Sequence, residues 1–399
     1  MSHRLTEGLC KKTYDSSTDF FEQTASREKF KSIRFMELML LTSANTSTRK
    51  AAQLLNRIRH EAKGIGATTY RNTIEREGQK MQSHINQKCN KALHDNGFAY
   101  DGELLENTVF TPDQPEHIDH KKVAAAAAKL KIVTYEASEY ELPETTVNVS
   151  IDGVGVKRQT ETRPRDETCP QPKYVNNTVV HVQGSTGEYI LNAETLCHVM
   201  KLLIGFLFHN NLARRQIVIF ADGARDIHNA VAGMLSFLNY KVILDWYHLQ
   251  KKCYEQLSLA LNGSKIRNAF ANELLPCLWF GNVDRAIGLL RGIDPGKVKN
   301  NEIIVSFIGY LERVRTNIPC YALRDELGLR NSSNRGEKAN DLVVSGRQKH
   351  NGMSWSDDGS VAFASVASAS HNEESDHWLR FNSFRFELRP VDKPVDKAA

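Results

Sequence analysis

Apolar and polar positions change their period along the chain, and those changes outline its elements. Up to about residue 40, Phe20, Phe21, Phe30, Ile33, Phe35, Met36, Leu38 and Met39 supply apolar faces at helical spacing. The stretch Thr46 to Gly78 predicts two helices, one capped by Ser47 or Thr48 and ended by Gly64-Ile65-Gly66, the next capped by Thr68 or Thr69. A further helix, Gln79 to about Asn96, leads into an acidic linker with prolines, Asp101 to Asp119, and then to the helix-favouring run Ala124 to Ala128. From Thr145 the period falls to two: strands are predicted at Thr145 to Val156, Tyr174 to Gln183 after a Pro-rich loop (Arg163 to Pro172), and Glu188 to Asn192 after a tight turn at Gly184 to Gly187. Helices at Glu194 to Asn210 and Arg225 to Leu238 then alternate with strands at Gln216 to Ala221 and Lys241 to Leu244.

Past Asp245 the strand signals stop. Helical patterns run over Leu249 to Leu261, Ile266 to Phe280, Val283 to Ile293 and Glu302 to Val314, separated by Gly and Pro. A short helix with Glu337 near its start follows, then a Gly/Ser-bearing loop and a helix near Val361 to Ala369. Trp378 to Leu388 is expected to close the fold as a strand, with a disordered tail behind it. The order βββαβαβ describes an α/β fold with an RNase H-like mixed sheet and an all-α insertion, preceded by a helical N-terminal DNA-binding region. The implied segments are 1–100 (helix-turn-helix-like DNA-binding region), 101–144 (linker), 145–248 (catalytic core, first part), 249–330 (insertion), 331–388 (catalytic core, second part) and 389–399 (tail).

Charge sharpens this outline. Met1 to Lys91 holds 17 Lys and Arg against 9 Asp and Glu, whereas Ala92 to Thr146 holds 4 against 11. A cationic segment of this kind suits a polyanion, and a solvated helix face gives the same count. Arg71, Asn72, Arg76 and Lys80 would project from the second helix toward a groove, with Arg49 and Lys50 available for phosphates. Seven scattered cysteines without a CxxC pair argue for a reducing compartment. His84, Cys89 and His94 lack zinc-ligand spacing. The N-terminus has no apolar signal region, and the apolar stretch Glu194 to Phe208 is shorter than a membrane span and reads as a core helix.

The candidate chemistry sits at strand ends. Asp152 and Asp222 follow long apolar runs on adjacent central strands, and Glu337 would reach in from a helix. Three carboxylates suffice to hold the two divalent cations that phosphodiester cleavage requires, because magnesium takes few protein ligands and keeps its waters. An Asp before Gly is more often a turn residue, and the order of the strands is what raises both here. Asp245 also follows a strand and competes for the second metal position; its spacing to His248 points instead to an Asp-x-x-His pair on the first turn of a helix. Glu312, Asp325 and Glu326 are rivals to Glu337 without its basic surroundings of Arg335, Lys338, Arg347, Lys349 and His350, which would supply phosphate contacts. Trp246, Trp279 and Trp355 each offer a stacking surface for an unpaired base, Trp279 foremost, with core packing as the plain alternative.

With SIDGVGVK, FADGARDI, DWYH and SSNRGEKAND in view, the chain resembles the DDE-type transposases of bacterial insertion sequences, in the Mutator-like group with a Cys/Asp-x-x-His motif and a helical insertion in the core. The resemblance covers about Val147 to Ser360, and Asn334 stands three residues before Glu337 as in the family's Asn-x-x-Glu pattern. It implies a recombinase that cuts the ends of its element and joins 3′-hydroxyls to target DNA. Asp152, Asp222 and Glu337 would bind two ions of Mg2+ (or Mn2+), and Asp245 and His248 would support the site. It further implies double-stranded DNA as partner (terminal inverted repeats and target), a homo-oligomer on paired ends, no membrane, and a cytoplasmic, nucleoid-associated location. A nuclease of the same fold without strand transfer and an inactive transposase-derived DNA-binding protein are the competing readings; a two-carboxylate glycosidase is more distant.

Overall fold

The computed structural model describes residues 3–7, 10–14, 32–60, 64–99, 109–160, 172–349 and 353–390. Phe20, Phe21 and Phe30, the Pro-rich loop at 163–171, His350 and the tail at 391–399 lie outside those residues. The chain starts with an antiparallel hairpin, β1 (His3–Glu7) and β2 (Cys10–Tyr14), where helix was expected. The local sequence explains the difference, since Thr6, Thr13 and Tyr14 favour strands. Helices α1 (Ile33–Asn45), α2 (Thr48–Ile58) and α3 (Ala67–Asp95) follow. Ser47 caps α2 by accepting the Lys50 N–H, as its sequence predicts. Gly66, not Thr68 or Thr69, begins α3, and α3 continues unbroken through Gly78 for 29 residues. Gly78 serves packing: a Cβ there would stand 2.1 Å from the Ala362 carbonyl oxygen.

After α4 (His120–Lys129), a five-stranded mixed sheet forms from β3 (Thr146–Lys157), β4 (Tyr174–Gln183), β5 (Glu188–Ala193), β6 (Gln216–Ala221) and β7 (Tyr240–Leu244), ordered β5-β4-β3-β6-β7. The first three strands are antiparallel, and β6 and β7 run parallel to β3. Helices α5 (Leu196–His209) and α6 (Arg225–Met234) make the two crossovers. Alternation along β3 sorts its side chains. Val147, Val149 and Ile151 lie in register with Val182, Val180, Ile217 and Ile219 and enter the main core with α3 and α5. Helix α5 is apolar over most of its length because Val199, Met200 and Leu202 to Phe208 are all buried, and Gly205 lets α3 approach until a Cβ would meet Cys89 Sγ at 2.4 Å. Among the described residues no helix is long and apolar enough to cross a membrane.

The other face of β3 is polar, with Asn148, Ser150 and Asp152, and it too is covered. Helices α7 (Trp246–Ala260), α8 (Ser264–Trp279), α9 (Val283–Arg291) and α10 (Asn301–Val314) share a second cluster with Val218, Phe220, Ile243 and Leu244, so this helical block is built onto the sheet. A short α11 (Tyr321–Glu326) joins a third cluster with α4, locked by the buried pair Arg324–Glu141. Then come α12 (Asn334–Asn340), a π-helical turn at Asp341–Ser345, and α13 (Gly346–Gln348). Helix α14 (Asp357–His371) lies over β4 and β5, where Asn177 donates to Ser360 Oγ and Ser368 donates to Asn192 Oδ1, both at 2.8 Å. Its small Ala and Ser side chains permit that close seat.

The expected closing strand is absent. Residues Ser375–Phe381 form α15, Asn382 ends it in the left-handed region (φ 49°), and the next segment is irregular. The N–H groups of Arg385 and Phe386 are taken by the Glu374 carboxylate at 3.0 and 2.8 Å, which removes them from any ladder. Phe384 and Phe386 meanwhile fill aromatic sites beside Trp378, Tyr189 and Phe206. A single bridge, Glu188 to Arg389, touches the sheet edge. There Glu188 accepts from His181 Nε2 and Arg335 Nη1, both at 3.1 Å, and from Arg389.

Two outcomes follow from this packing. Gly78→Ala gains about 1 kcal/mol of helix propensity, but the added methyl meets backbone atoms of α14, and overpacking of this kind costs about 1–3 kcal/mol; urea denaturation should show net destabilisation, and a more stable variant would mean that α3 and α14 can separate freely. The Glu188 carboxyl is drawn from its ordinary 4.5 to about 2, first by the His181 hydrogen bond against the opposing effect of burial, then by Arg389. A folded value below the unfolded one stabilises the protein fully above pH 4.5 and loses that effect as pH falls toward 2. The stability gap between wild type and Glu188→Gln should therefore be constant near neutrality and shrink below pH 4.5.

Candidate active site

The predicted acids lie around the middle of β3, since Asp152 stands within the strand, which runs on to Lys157, and not at its end as expected. The pairing of Ser150 with Phe220 is the last parallel one between β3 and β6, and Asp152 and Asp222 each lie two residues beyond it. Asp222 is exposed just past β6, its Oδ1 accepting the Ala224 N–H at 2.9 Å, and Gly223 makes the turn at φ +80°. Glu337 comes from the first turn of α12. That helix lies against β3 because residue 336 is glycine: a Cβ on Gly336 would be 2.8 Å from Ser150 Cβ. His248, on the first turn of α7, meets Glu337 with Nε2 2.8 Å from Oε1.

Burial pushes the Asp152 carboxyl above its usual range, opposed by a hydrogen bond from Asn340; the negative charges of Glu337 and Asp222 raise it further and His248 lowers it. These four side chains thus share one electrostatic neighbourhood. Asn340 Nδ2 lies 2.6 Å from Asp152 Oδ2. Its functional position was missed in the sequence, although a signal existed: Asn340 is three residues beyond Glu337 and so shares its helix face. Asn334, which the motif singled out, instead begins the helix and is exposed.

Asp245 does not compete for a metal. It is fully buried, caps α7 by accepting the His248 N–H at 2.8 Å, and accepts from the Ser333 N–H and from Ser333 Oγ, the latter at 2.9 Å. Its role is positioning. Among the rival acids, Glu312 pairs with Arg291 at 2.9 Å and Glu326 with Lys129 at 2.7 Å.

The donor set fits a hard divalent cation in kind, since Asp152, Asp222 and Glu337 offer carboxylate oxygens. Their arrangement does not yet converge: among the described residues no group of three or more His, Cys, Asp and Glu side chains is disposed to hold a metal ion. Each acid is turned to a proton donor of the protein, Asp152 to Asn340, Asp222 to the Ala224 N–H and Glu337 to His248.

The predicted DNA contacts divide. Lys338, next to Glu337 in the chain, and Lys349 are exposed, and Arg335 is half exposed with its guanidinium on Glu188. Arg347 is not a phosphate contact. It is 6% exposed, donates from Nε to the Ser43 carbonyl at 3.0 Å, and lies over the rings of Trp355 and Phe363, because the turn after α12 directs it into the core. Trp279 is likewise occupied, stacked on Tyr321 and edge-on to Trp246, and it is packing rather than a free platform. Trp355 is buried and donates to the Gln348 carbonyl. Arg49, Lys50, Arg71 and Asn72 are exposed on α2 and the start of α3, Arg71 beside Glu75 and Arg76 beside Glu77, with no described contact to the acids.

No protein-family model and no curated protein matches the chain. Among solved structures, it is similar to the Drosophila P element transposase strand transfer complex, with a TM-score of 0.28 and 11% identity over 93% of this chain and 86% of that one. It is also similar to the Mos1 mariner paired end complex with Mn, with a TM-score of 0.19 and 9% identity over 84% of this chain and 85% of that one. Likeness at this level fixes neither the fold nor the activity of this chain.

Proposed function

We propose that this chain is a DDE-type transposase with an RNase H-like core, cutting DNA at the ends of a mobile element and joining the freed 3′-hydroxyls to target DNA. The observation that carries this reading is that Asp152 and Asp222 each lie two residues beyond the last β3/β6 pairing while α12 seats against β3 and brings the Glu337 charge to bear on Asp152. The strand order β5-β4-β3-β6-β7 supports an RNase H-like sheet. Two Mg2+ or Mn2+ ions held by Asp152, Asp222 and Glu337 would stabilise the attacking and leaving oxygens.

The chain's own residues prepare that chemistry. Asn340 holds one oxygen of Asp152 and leaves the other free. His248 orients Glu337 and is itself placed by the Asp245 cap. The exposed Lys338 and Lys349 would supply phosphate contacts, and Arg49, Lys50, Arg71 and Asn72 suit binding of the element's terminal repeats on duplex DNA. The helical block of α7 to α10 would help hold end DNA or a second subunit in a homo-oligomer on paired ends. The residues fit the Mutator-like insertion-sequence group through the Asp-x-x-His turn at Asp245 to His248.

The test is metal-dependent cleavage and joining of a duplex bearing the element's end. Asp152→Asn, Asp222→Asn and Glu337→Gln should each bring both reactions to background while urea denaturation stays two-state; undiminished cleavage by Asp152→Asn would remove the assigned site. Cleavage without a joined product would leave a nuclease. Gly336→Ala should fold and yet cut about a hundredfold more slowly, because a displacement of about 1 Å is enough for such a loss. Full activity in that variant would show that the α12 approach does not set the geometry.

A further inference from the structure

Helix α10 sends a tyrosine to the turn that carries Asp222. The Tyr310 hydroxyl lies 3.0 Å from the point that a Cβ on Gly223 would occupy, so it stands against the backbone one residue beyond that acid. A side chain at 223 would press on it and on Leu244 Cδ1, and a glycine at φ +80° leaves the place open. Burial pushes the Tyr310 phenol up to about 12, which keeps its proton on at neutral pH and makes it a donor. Among the described residues nothing accepts that proton in a hydrogen bond.

The ring of Tyr310 gathers two cations. Lys252 Nζ of α7 lies 5.6 Å from its centroid, and Arg313 Cζ, one turn along α10, lies 5.4 Å from it. Lys252 follows His248 on α7 at the i,i+4 spacing that puts two side chains on one helix face, and His248 touches Glu337 at 2.8 Å. Lys252 thus belongs to the same stripe of α7 as the histidine of the cleft, and Tyr310 links that stripe to the Asp222 turn. Lys252 is half-buried and Arg313 exposed, so solvent reaches both. Neither has a carboxylate at ion-pair distance among the described residues, and the neighbouring Glu312 is paired with Arg291. A ring face attracts a cation, yet it leaves the three N–H donors of an ammonium without an oxygen.

We infer that Lys252 and the Tyr310 hydroxyl bind a phosphate of the DNA backbone on the Asp222 side of the cleft, with Arg313 adding a second cation beside them. Lysine ammonium and tyrosine hydroxyl groups both donate to phosphate oxygens, and such contacts fix the register of a strand without reading its sequence. This assignment rests on the nucleic-acid reading of the site above, and it gives the helical block a specific hold on the strand presented to Asp222.

Binding of the full chain to a fixed DNA duplex, measured in EDTA over a range of salt, tests it without any catalytic readout. A phosphate contact contributes about 0.9 to the slope of log affinity against log salt on duplex DNA. Lys252→Gln should lose about 0.9 of slope, and Lys252→Gln/Arg313→Gln should lose at least as much. Tyr310→Phe removes only an oxygen: it should weaken binding about tenfold at fixed salt, the scale of a hydrogen bond to a charged group, and keep the wild-type slope. An unchanged slope in both lysine variants overturns the subsite. Undiminished affinity in Tyr310→Phe overturns it too, since only two surface cations would then remain. Inorganic phosphate that raises the melting temperature of wild type but not of the double variant, with no change in slope, would assign the place to free phosphate and overturn the DNA assignment. Tyr310→Phe is the most conservative of these changes, so its affinity still decides if Lys252→Gln fails to fold. A wild type without salt-dependent affinity for DNA would overturn the nucleic-acid reading itself, whereas normal wild-type binding that these variants leave unchanged overturns the subsite alone.

Discussion

Asp245 is a carboxylate with no exposure to solvent and no cation beside it, held by the His248 N–H, the Ser333 N–H and Ser333 Oγ. A charge in that position survives only if its oxygens are satisfied, and the donors that satisfy it come from two segments far apart in sequence. The first turn of α7 and the loop before α12 are therefore tied to the end of β7 through one side chain. The backbone repeats the tie, with the Asp245 N–H on the Ala221 carbonyl and the Trp246 N–H on the Asn331 carbonyl. His248 and Glu337 meet because both hang from this knot. Removing the carboxylate would leave three donors unpaired, so its loss acts on the geometry of the site before it acts on any chemistry.

A second constraint is steric. The sheet is buried on both faces, and a polar row of Asn148, Ser150 and Asp152 on one face must be covered by something narrow. Gly336 and the small side chains of α14 provide that cover. The same closeness that admits α12 brings Asn340 onto Asp152 and Glu337 into its field. Burial raises the Asp152 carboxyl while the Asn340 amide opposes that rise, so the acid is desolvated and oriented at once.

Much of this was legible in the chain because it is local. Strand alternation, the Ser47 cap and the Gly and Pro breaks of the helical block are set by neighbours a few residues apart, and the strands and the helices α7 to α10 lie close to their predicted positions. What was not legible depends on contacts across the fold. Gly78 reads as a helix breaker until Ala362 is beside it. Trp378 to Leu388 reads as a strand until Glu374 takes its N–H groups. Strand order singled out Asp152 and Asp222, and basic surroundings singled out Glu337, whereas Asn340 and Gly336 come into view only because α12 lies on β3, and no spacing within the chain states that distance.

The basic residues make the same point in electrostatic form. A sequence counts Arg347 and Arg330 alike, and each has a terminal nitrogen buried without a hydrogen-bond acceptor. Arg347 is nonetheless finished by the protein: its Nε has the Ser43 carbonyl, and two aromatic faces stand against a guanidinium that solvent barely reaches. Arg330 stays half open, and its pKa is lowered by burial and by the charge of a second arginine, Arg335. A cation that the fold encloses and compensates is architecture. A guanidinium left half open beside a like charge has no such compensation, and a count of basic residues along the chain cannot separate the two cases.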